Sequence, residues 1–341
     1  MHLLHQGKKQ NSRNGAVLVA PEPVTTVYEN PTQRVFFHPL RDANPFFHFM
    51  ESLWMLAGRN DVRFVKYYAA SMEQFSDNGD TLHGAYGHRW RQCESGDQLP
   101  SLIKELRANP ESRRCVLQMW SASPPEEDLG WAMRGGKDVP CNTHCYFMVQ
   151  DGALNMTVCC RSNDIFWGAY GANAVHFSML LEYVARAASL PVGCMYQVSN
   201  NYHAYVDRPD VKRVMEARPR IHADDRYGYR VGRASDPSPN YAQTISPYPI
   251  MENGIEGQQR WDSDLTTFFS HWGELHALQI AFFHDPFFIH VVVPLANAHH
   301  AYKGGDIEAA KRILNSCHAT DWKLAAQEWL QRREEKHALQ T

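Results

Sequence analysis

The strongest constraint on this chain is a hairpin signal near its middle. Two apolar-rich runs, residues 143–150 and 153–160, flank Asp151-Gly152. An Asp-Gly pair between such runs fits a two-residue turn with positive φ at both central positions. That turn sets the register, because facing residues keep a constant sum. Gln150 then faces Ala153, Cys141 faces Ser162 and Asn142 faces Arg161. Facing side chains have Cβ atoms about 5 Å apart. A thiol, a hydroxyl and a guanidinium are therefore expected together at the open end of one hairpin, as a nucleophile beside an anion clamp.

A chain of 341 residues can bury a sizeable core. Its formal charge of −3 gives no global attraction to nucleic acid or anionic lipid, so phosphate recognition has to be local. No run is apolar for long enough to span a bilayer, and the N-terminus lacks the apolar stretch of a signal peptide. Eight cysteines, two of them adjacent at Cys159-Cys160, read as reduced thiols of a cytoplasm, in a bacterial cell or a virus-infected host. Cys141-x-x-His144-Cys145 offers metal-ligand types, but strand alternation points His144 away from the two thiols, so no metal is expected. No basic stripe with interleaved aromatics favours nucleic acid, and neither DNA nor a membrane is expected as a partner. A non-catalytic nucleotide- or RNA-binding protein is the competing class; it would need the clamp but not the thiol.

Along the chain, residues 1–33 read as irregular, with a turn at Ser12-Arg13-Asn14-Gly15, and 34–38 as a short strand. A helix over 45–57 has Asn44 as its cap, Pro45 at its first position and Gly58 at its stop. Glu51 edges on its apolar face and becomes a proton-handling candidate if buried. A second helix is expected over 62–75, then a glycine- and aromatic-rich segment, 77–90, that suits close approach to a ligand. Helix 99–107 leads through Ser112-Arg113-Arg114 to a strand at 115–120. The two arginines would suit a bidentate phosphate clamp. Residues 121–138 read as an exposed loop. After the hairpin come Arg161-Ser162-Asn163-Asp164, a helix over 173–188, a short strand, and His203 and Tyr205 on one strand face. Residues 224–260 read as a long connection. Helices are expected over 265–283, 307–317 and 321 to the end.

The ordered series Tyr86-Gly-x-x-Trp90-Arg91, Ser112-Arg113-Arg114, Pro140-Cys141, Arg161-Ser162-x-Asp164, Asn173 and His203-x-Tyr205 resembles the thymidylate synthase and pyrimidine hydroxymethylase family, over roughly residues 10–210. The resemblance implies an α/β fold of α+β type with a mixed central sheet flanked by helices. A catalytic domain would span 1–260 and a helical C-terminal segment 261–341. It implies that Cys141 adds to C6 of a pyrimidine nucleotide and that C5 takes the carbon of 5,10-methylenetetrahydrofolate. Arg161, a cation across the hairpin, would lower the thiol's pKa. The resemblance assigns Arg161, Ser162 and Arg13 to the 5′-phosphate, with Arg113 and Arg114 reaching it from the partner of a homodimer. It assigns Asp164 to the folate pterin, His203 and Tyr205 to the sugar, and Glu51 and Tyr86 to proton transfer near the base and folate.

Three departures bear on the reaction. Asn142 stands where the family often has histidine, and the segment before Asn173 is one residue longer. An amide at Asn173 can pair with O4 and N3–H of uracil, and no acid lies adjacent to it, which favours dUMP over dCMP or CMP. The chain ends in a charged helix where synthases have an apolar closing tail, so water is harder to exclude. A 5-hydroxymethylase is therefore expected, with methylation of dUMP to dTMP as the alternative.

Overall fold

The computed structural model describes residues 3, 6–92, 96–124, 127–216, 227, 245–273 and 278–339. Its contacts divide the chain into two units. The first comprises Met1–Pro31, Phe47–Arg208 and Glu252–Gln258; the second comprises Thr32–Phe46, Pro209–Met251 and Gln259–Thr341.

The first unit holds the strands: β1 Lys8–Ser12, β2 Gly15–Val19, β3 Val24–Tyr28, β4 Val116–Gln118, β5 Asn142–Gln150, β6 Ala153–Cys160, β7 Asn163–Asp164, β8 Val192–Ser199 and β9 Tyr202–Tyr205. They form a five-stranded sheet in the order β3-β8-β6-β5-β4 and a four-stranded sheet in the order β1-β2-β9-β7. The larger sheet is mixed, since β6 and β8 run parallel while its other pairs are antiparallel. Parallel neighbours need a crossover, supplied by the helix between them.

The helices are α1 Pro45–Leu56, α2 Val62–Tyr68, α3 Tyr86–Arg91, α4 Leu99–Ala108, α5 Asp128–Met133, α6 Ala172–Ala187, α7 Pro209–Glu216, α8 Gly254–His271, α9 Val293–Lys303, α10 Ile307–Leu314 and α11 Thr320–Ala338. A π turn, Ile165–Ala169, precedes α6.

The β5–β6 hairpin turns as its sequence requires, with Asp151 at φ 52 and Gly152 at φ 76. Gln150 pairs with Ala153. Alternation then sends Cys145, Phe147, Leu154, Met156, Val158 and Cys160 into the core. Burying one large apolar side chain contributes about 1.5–3 kcal/mol. The opposite face of this sheet leaves Val27, Val116, Tyr146, Met148 and Val198 largely exposed.

Several expectations are corrected. Residues 1–33 are not irregular: β1 to β3 lie there. β1 is polar and wholly exposed, and β2 is held by β9, far off in sequence, so no local pattern announces them. Residues 34–38 form no strand. The helix expected over 62–75 breaks at Ala69, which is extended at φ −146, and resumes as a 3-10 segment, Ala70–Phe75. Residues 121–138 are not an exposed loop throughout, because α5 forms around the buried Asp128. The helix expected over 265–283 instead starts at Gly254, with Trp261, Leu265 and Phe268 buried at helical spacing. Helix α9 was not expected: Pro294 looks like a breaker but sits in the first turn, where its missing N–H costs nothing. Most of the connection expected over 224–260 lies outside the described residues.

In the second unit α8 to α11 bury Trp261, Phe268, Phe288, Leu295, Leu314 and Trp329. Asp42 accepts from Arg332, Arg333 and Lys336 of α11 at 2.9, 2.8 and 2.7 Å.

Candidate active site

The open end of the hairpin carries a β-bulge. Cys159 pairs with His144, but Cys160 pairs with Asn142, so Thr143 is the extra residue. The simple register fails here by one position. The backbone N–H of Arg161 donates to the Cys141 carbonyl at 2.9 Å, and that of Ser162 donates to it at a longer 3.5 Å. The bulge thus sets Arg161 across from the thiol, with Nη2 4.0 Å from Cys141 Sγ.

The loop entering Cys141 is gripped by two arginines. Arg161 donates from Nε to the Pro140 carbonyl at 2.7 Å and from Nη2 to the Val139 carbonyl at 3.0 Å. Arg13, in the β1–β2 turn, donates from Nη1 to the Gly136 carbonyl at 2.9 Å and from Nη2 to the Lys137 carbonyl. Burial pushes the Cys141 thiol up from its ordinary pKa; Arg161 draws it down, Asp138 raises it, and the Tyr86 phenol and Arg13 lower it. The sum is upward. Arg161 acts in the expected direction, but burial outweighs it.

Tyr86 opens α3, and burial carries its phenol well above the usual range. Two close approaches fix this segment. A Cβ on Gly84 would stand 2.9 Å from Pro140 N, and one on Gly87 1.9 Å from the Met55 carbonyl of α1. Asp138 Oδ2 accepts from Gly84 N–H at 2.7 Å. Asp128 is fully buried and lies 3.0 Å from Arg89 Nη2 and 2.9 Å from His83 Nε2, and His83 stacks on Trp131 at 4.4 Å. Residues 128–138 are therefore latched to the segment that carries Tyr86.

Glu51 is buried at 6 % exposure, with its Oε2 2.9 Å from Nε2 of His176 on α6. Asn173 lies in the first turn of α6. A Cβ on Gly168 would be 3.4 Å from its Nδ2 and 1.9 Å from Oδ1 of the buried Asn163, so the π turn must carry glycine there. Asp164 Oδ1 accepts from Phe166 N–H at 2.7 Å and Trp167 N–H at 2.6 Å, capping that turn. His203 and Tyr205 share a face of β9 with ring centroids 5.3 Å apart, and His203 Nδ1 lies 2.9 Å from Asn201 Oδ1. Arg113 and Arg114 are exposed ahead of β4; Arg114 is 82 % exposed, 3.7 Å from Glu105. Among the described contacts neither joins the cluster around Cys141.

The structure adds residues that sequence reasoning missed: His176, Asp138 and the Arg89–Asp128–His83 latch. His176 had a legible signal, since it falls on the apolar stripe of α6 with Met179, Leu180 and Tyr183. The carboxylates had none, because their partners are brought in by tertiary structure. The described cysteines are free thiols. No metal-binding cluster and no helix long and apolar enough to cross a membrane occurs among the described residues.

Residues 1–226 match the family model described as thymidylate synthase. The chain belongs to the thymidylate synthase family. It is 47% identical over 336 residues to a deoxyuridylate hydroxymethyltransferase of Pseudomonas phage M6, covering 97% of this chain and 89% of that protein. A deoxyuridylate hydroxymethyltransferase of Bacillus phage SP01 is 34% identical over 242 residues, covering 67% of this chain and 60% of that one. A thymidylate synthase of Symbiobacterium thermophilum is 30% identical over 202 residues, covering 55% and 65%. In fold, the thymidylate synthase of T4 phage aligns with a TM-score of 0.51 at 20% identity, covering 64% of this chain and 78% of that one. The expected family and mixed-sheet architecture hold.

Proposed function

We propose that this chain transfers a folate-borne carbon to C5 of deoxyuridylate and releases the 5-hydroxymethyl nucleotide. One observation carries the reading: the bulge at Thr143 sets Arg161 against the Cys141 thiol, 4.0 Å away. Such a guanidinium can stabilise a thiolate and take a phosphate oxygen with its remaining donors. The similarity to the M6 hydroxymethyltransferase over nearly the whole chain supports this substrate and product over methylation to thymidylate.

Each residue has a task. Cys141 gives up its proton and adds to C6, aided by Arg161, Arg13 and the Tyr86 phenol, which all lower its pKa. Arg161, Ser162 and Arg13 hold the phosphate. His203 donates from Nδ1 to Asn201, which leaves Nε2 to accept from the sugar hydroxyl beside Tyr205. Asn173 reads the uracil edge, and Glu51 and Tyr86 handle protons around C5. The residues near Asp164 fit a folate: Trp167 and Tyr170 stay well exposed on the π turn, offering flat apolar surface beside a carboxylate that can accept from pterin N–H groups. When bound, 5,10-methylenetetrahydrofolate supplies the carbon; Asp164 and Glu51 would hold it. We place this chemistry in residues 1–260, extended by the helical segment 261–341.

The exposed apolar side chains Val27, Val116, Tyr146, Met148 and Val198 on one sheet face support a homodimer, since such a surface suits a second copy. Arg113 and Arg114, at the start of β4, would reach the partner's phosphate site from that interface. The test is to incubate the protein with methylenetetrahydrofolate and dUMP, dCMP or CMP and to resolve products by mass. Hydroxymethylation of dUMP with release of tetrahydrofolate is expected. A methyl product with dihydrofolate would make the protein a thymidylate synthase, and a preference for dCMP would overturn the role given to Asn173.

A further inference from the structure

The mechanism above leaves His176 without a task, yet this imidazole is placed unlike a packing residue. It is 2 % exposed, and neither ring nitrogen makes a well-aligned hydrogen bond to another described residue. Leaving a buried polar group unpaired costs about 1–3 kcal/mol, so an apolar side chain would serve the core better. Its Nε2 instead stands 2.9 Å from Glu51 Oε2. A carboxylate beside one ring nitrogen orients an imidazole, which leaves the other nitrogen, Nδ1, to take a proton.

The two helices that carry the pair pack against the segment that carries Tyr86. Glu51 lies one turn before Met55, whose carbonyl receives Gly87 of α3; His176 precedes Phe177, whose ring is 5.7 Å from that of Tyr86. Tyr86 in turn reaches Cys141. A second observation points to a polar guest next to the nucleophile. Asn142, the residue after the nucleophile, is 1 % exposed, and neither its Oδ1 nor its Nδ2 has a partner among the described residues. It shares a row with Cys160 and Ser199 on the buried side of the sheet. Enclosed open donors and acceptors are what a buried water requires, since it takes about 2–4 polar partners.

We propose that His176, held by Glu51, is the base that deprotonates the water added to the nucleotide's C5 methylene, and so commits this chain to hydroxymethylation. The assignment rests on the activity proposed above. In the step, the water oxygen bonds to the methylene carbon while His176 Nδ1 takes its proton. The electron pair of the exocyclic double bond moves onto the C4 carbonyl oxygen. It then returns to form the C5–C6 double bond as the C6–S bond breaks. Cys141 leaves as thiolate and regains a proton, so the step needs no oxidant or reductant. His176 is the catalytic residue; Glu51 acts here as a positioning residue.

The test uses dUMP tritiated at C5, methylenetetrahydrofolate, and wild-type, His176→Ala and His176→Asn proteins. Tritium release reports the chemistry up to loss of the C5 proton, and the hydroxymethyl product reports water addition. Binding of dUMP, measured by calorimetry, shows that a variant is folded, and the asparagine variant serves if the alanine one is not. We expect tritium release near the wild-type rate with hydroxymethyl product down about a hundredfold, an added thiol captured at the methylene, and rescue of His176→Ala by free imidazole. Loss of both readouts in the same proportion, or an unchanged product rate, overturns the assignment. Absence of tritium release by the wild type overturns the activity itself, and this assignment with it.

Discussion

Replacing Asp128 with alanine tests the latch that carries Tyr86. Asp128 is wholly buried, and Arg89, 2 % exposed, lies 3.0 Å away. Truncation removes the carboxylate that Arg89 Nη2 faces at 3.0 Å and leaves its carbonyl contacts to His83 at 3.2 and 2.9 Å. Breaking a buried pair in this way costs about 3–5 kcal/mol, and the surviving contacts favour the lower end. At about 2–4 °C per kcal/mol for a unit of this size, Tm should fall by roughly 6–20 °C. Because α3 and residues 128–138 loosen together, kcat for hydroxymethylation should fall more than affinity for dUMP. Thermal unfolding followed by far-UV circular dichroism reads the first effect, and steady-state kinetics reads the second. Removing both charges, with Asp128→Leu and Arg89→Met together, should recover much of the stability. A single variant that melts with the wild type, or a double variant worse than the single, would refute the argument.

Asp321→Asn should stabilise the protein in neutral solution. Burial raises this carboxyl from 3.8 to about 6, although Trp322 N–H, Tyr227 and Arg34 pull the other way. The folded state therefore resists its ionisation, a penalty absent below 3.8 and complete above about 6, amounting to about 3 kcal/mol; Tm measured across pH reads it. Asp42→Asn should do the reverse. Burial would raise Asp42, but Lys336, Arg333 and Arg332 outweigh it and bring it from 3.8 to about 2. Its contribution, about 2 kcal/mol, is present above 3.8 and lost as pH falls through about 2, so wild type and variant should differ in neutral solution and converge in strong acid. Arg161→Gln should raise the pH at which iodoacetamide alkylates Cys141, because it removes the cation that draws the thiol down; an unshifted alkylation profile would contradict that.

The sequence carried the hairpin because Asp151-Gly152 and the alternation around it are local, and it carried α1 because Asn44, Pro45 and Gly58 mark its ends. Its motifs, taken in order, also located Cys141, Arg161 and Tyr86. What escaped depends on distant partners. The register between Cys141 and Arg161 turned on a bulge at Thr143 that no residue type announces. β2 exists because β9 pairs with it and β1 because β2 does, and α5 forms where Asp128 finds Arg89. Pro294 hid α9 because the same residue can start a helix or break one. The thiol's upward shift was likewise unreadable, since burial is a property of the fold rather than of neighbours in sequence.

The measurement closest to the central claim is turnover of dUMP with methylenetetrahydrofolate in water enriched in heavy oxygen. A hydroxymethyl product whose new oxygen carries the solvent label is expected, together with tetrahydrofolate. A methyl product with dihydrofolate, or a hydroxymethyl group without the label, would contradict that claim.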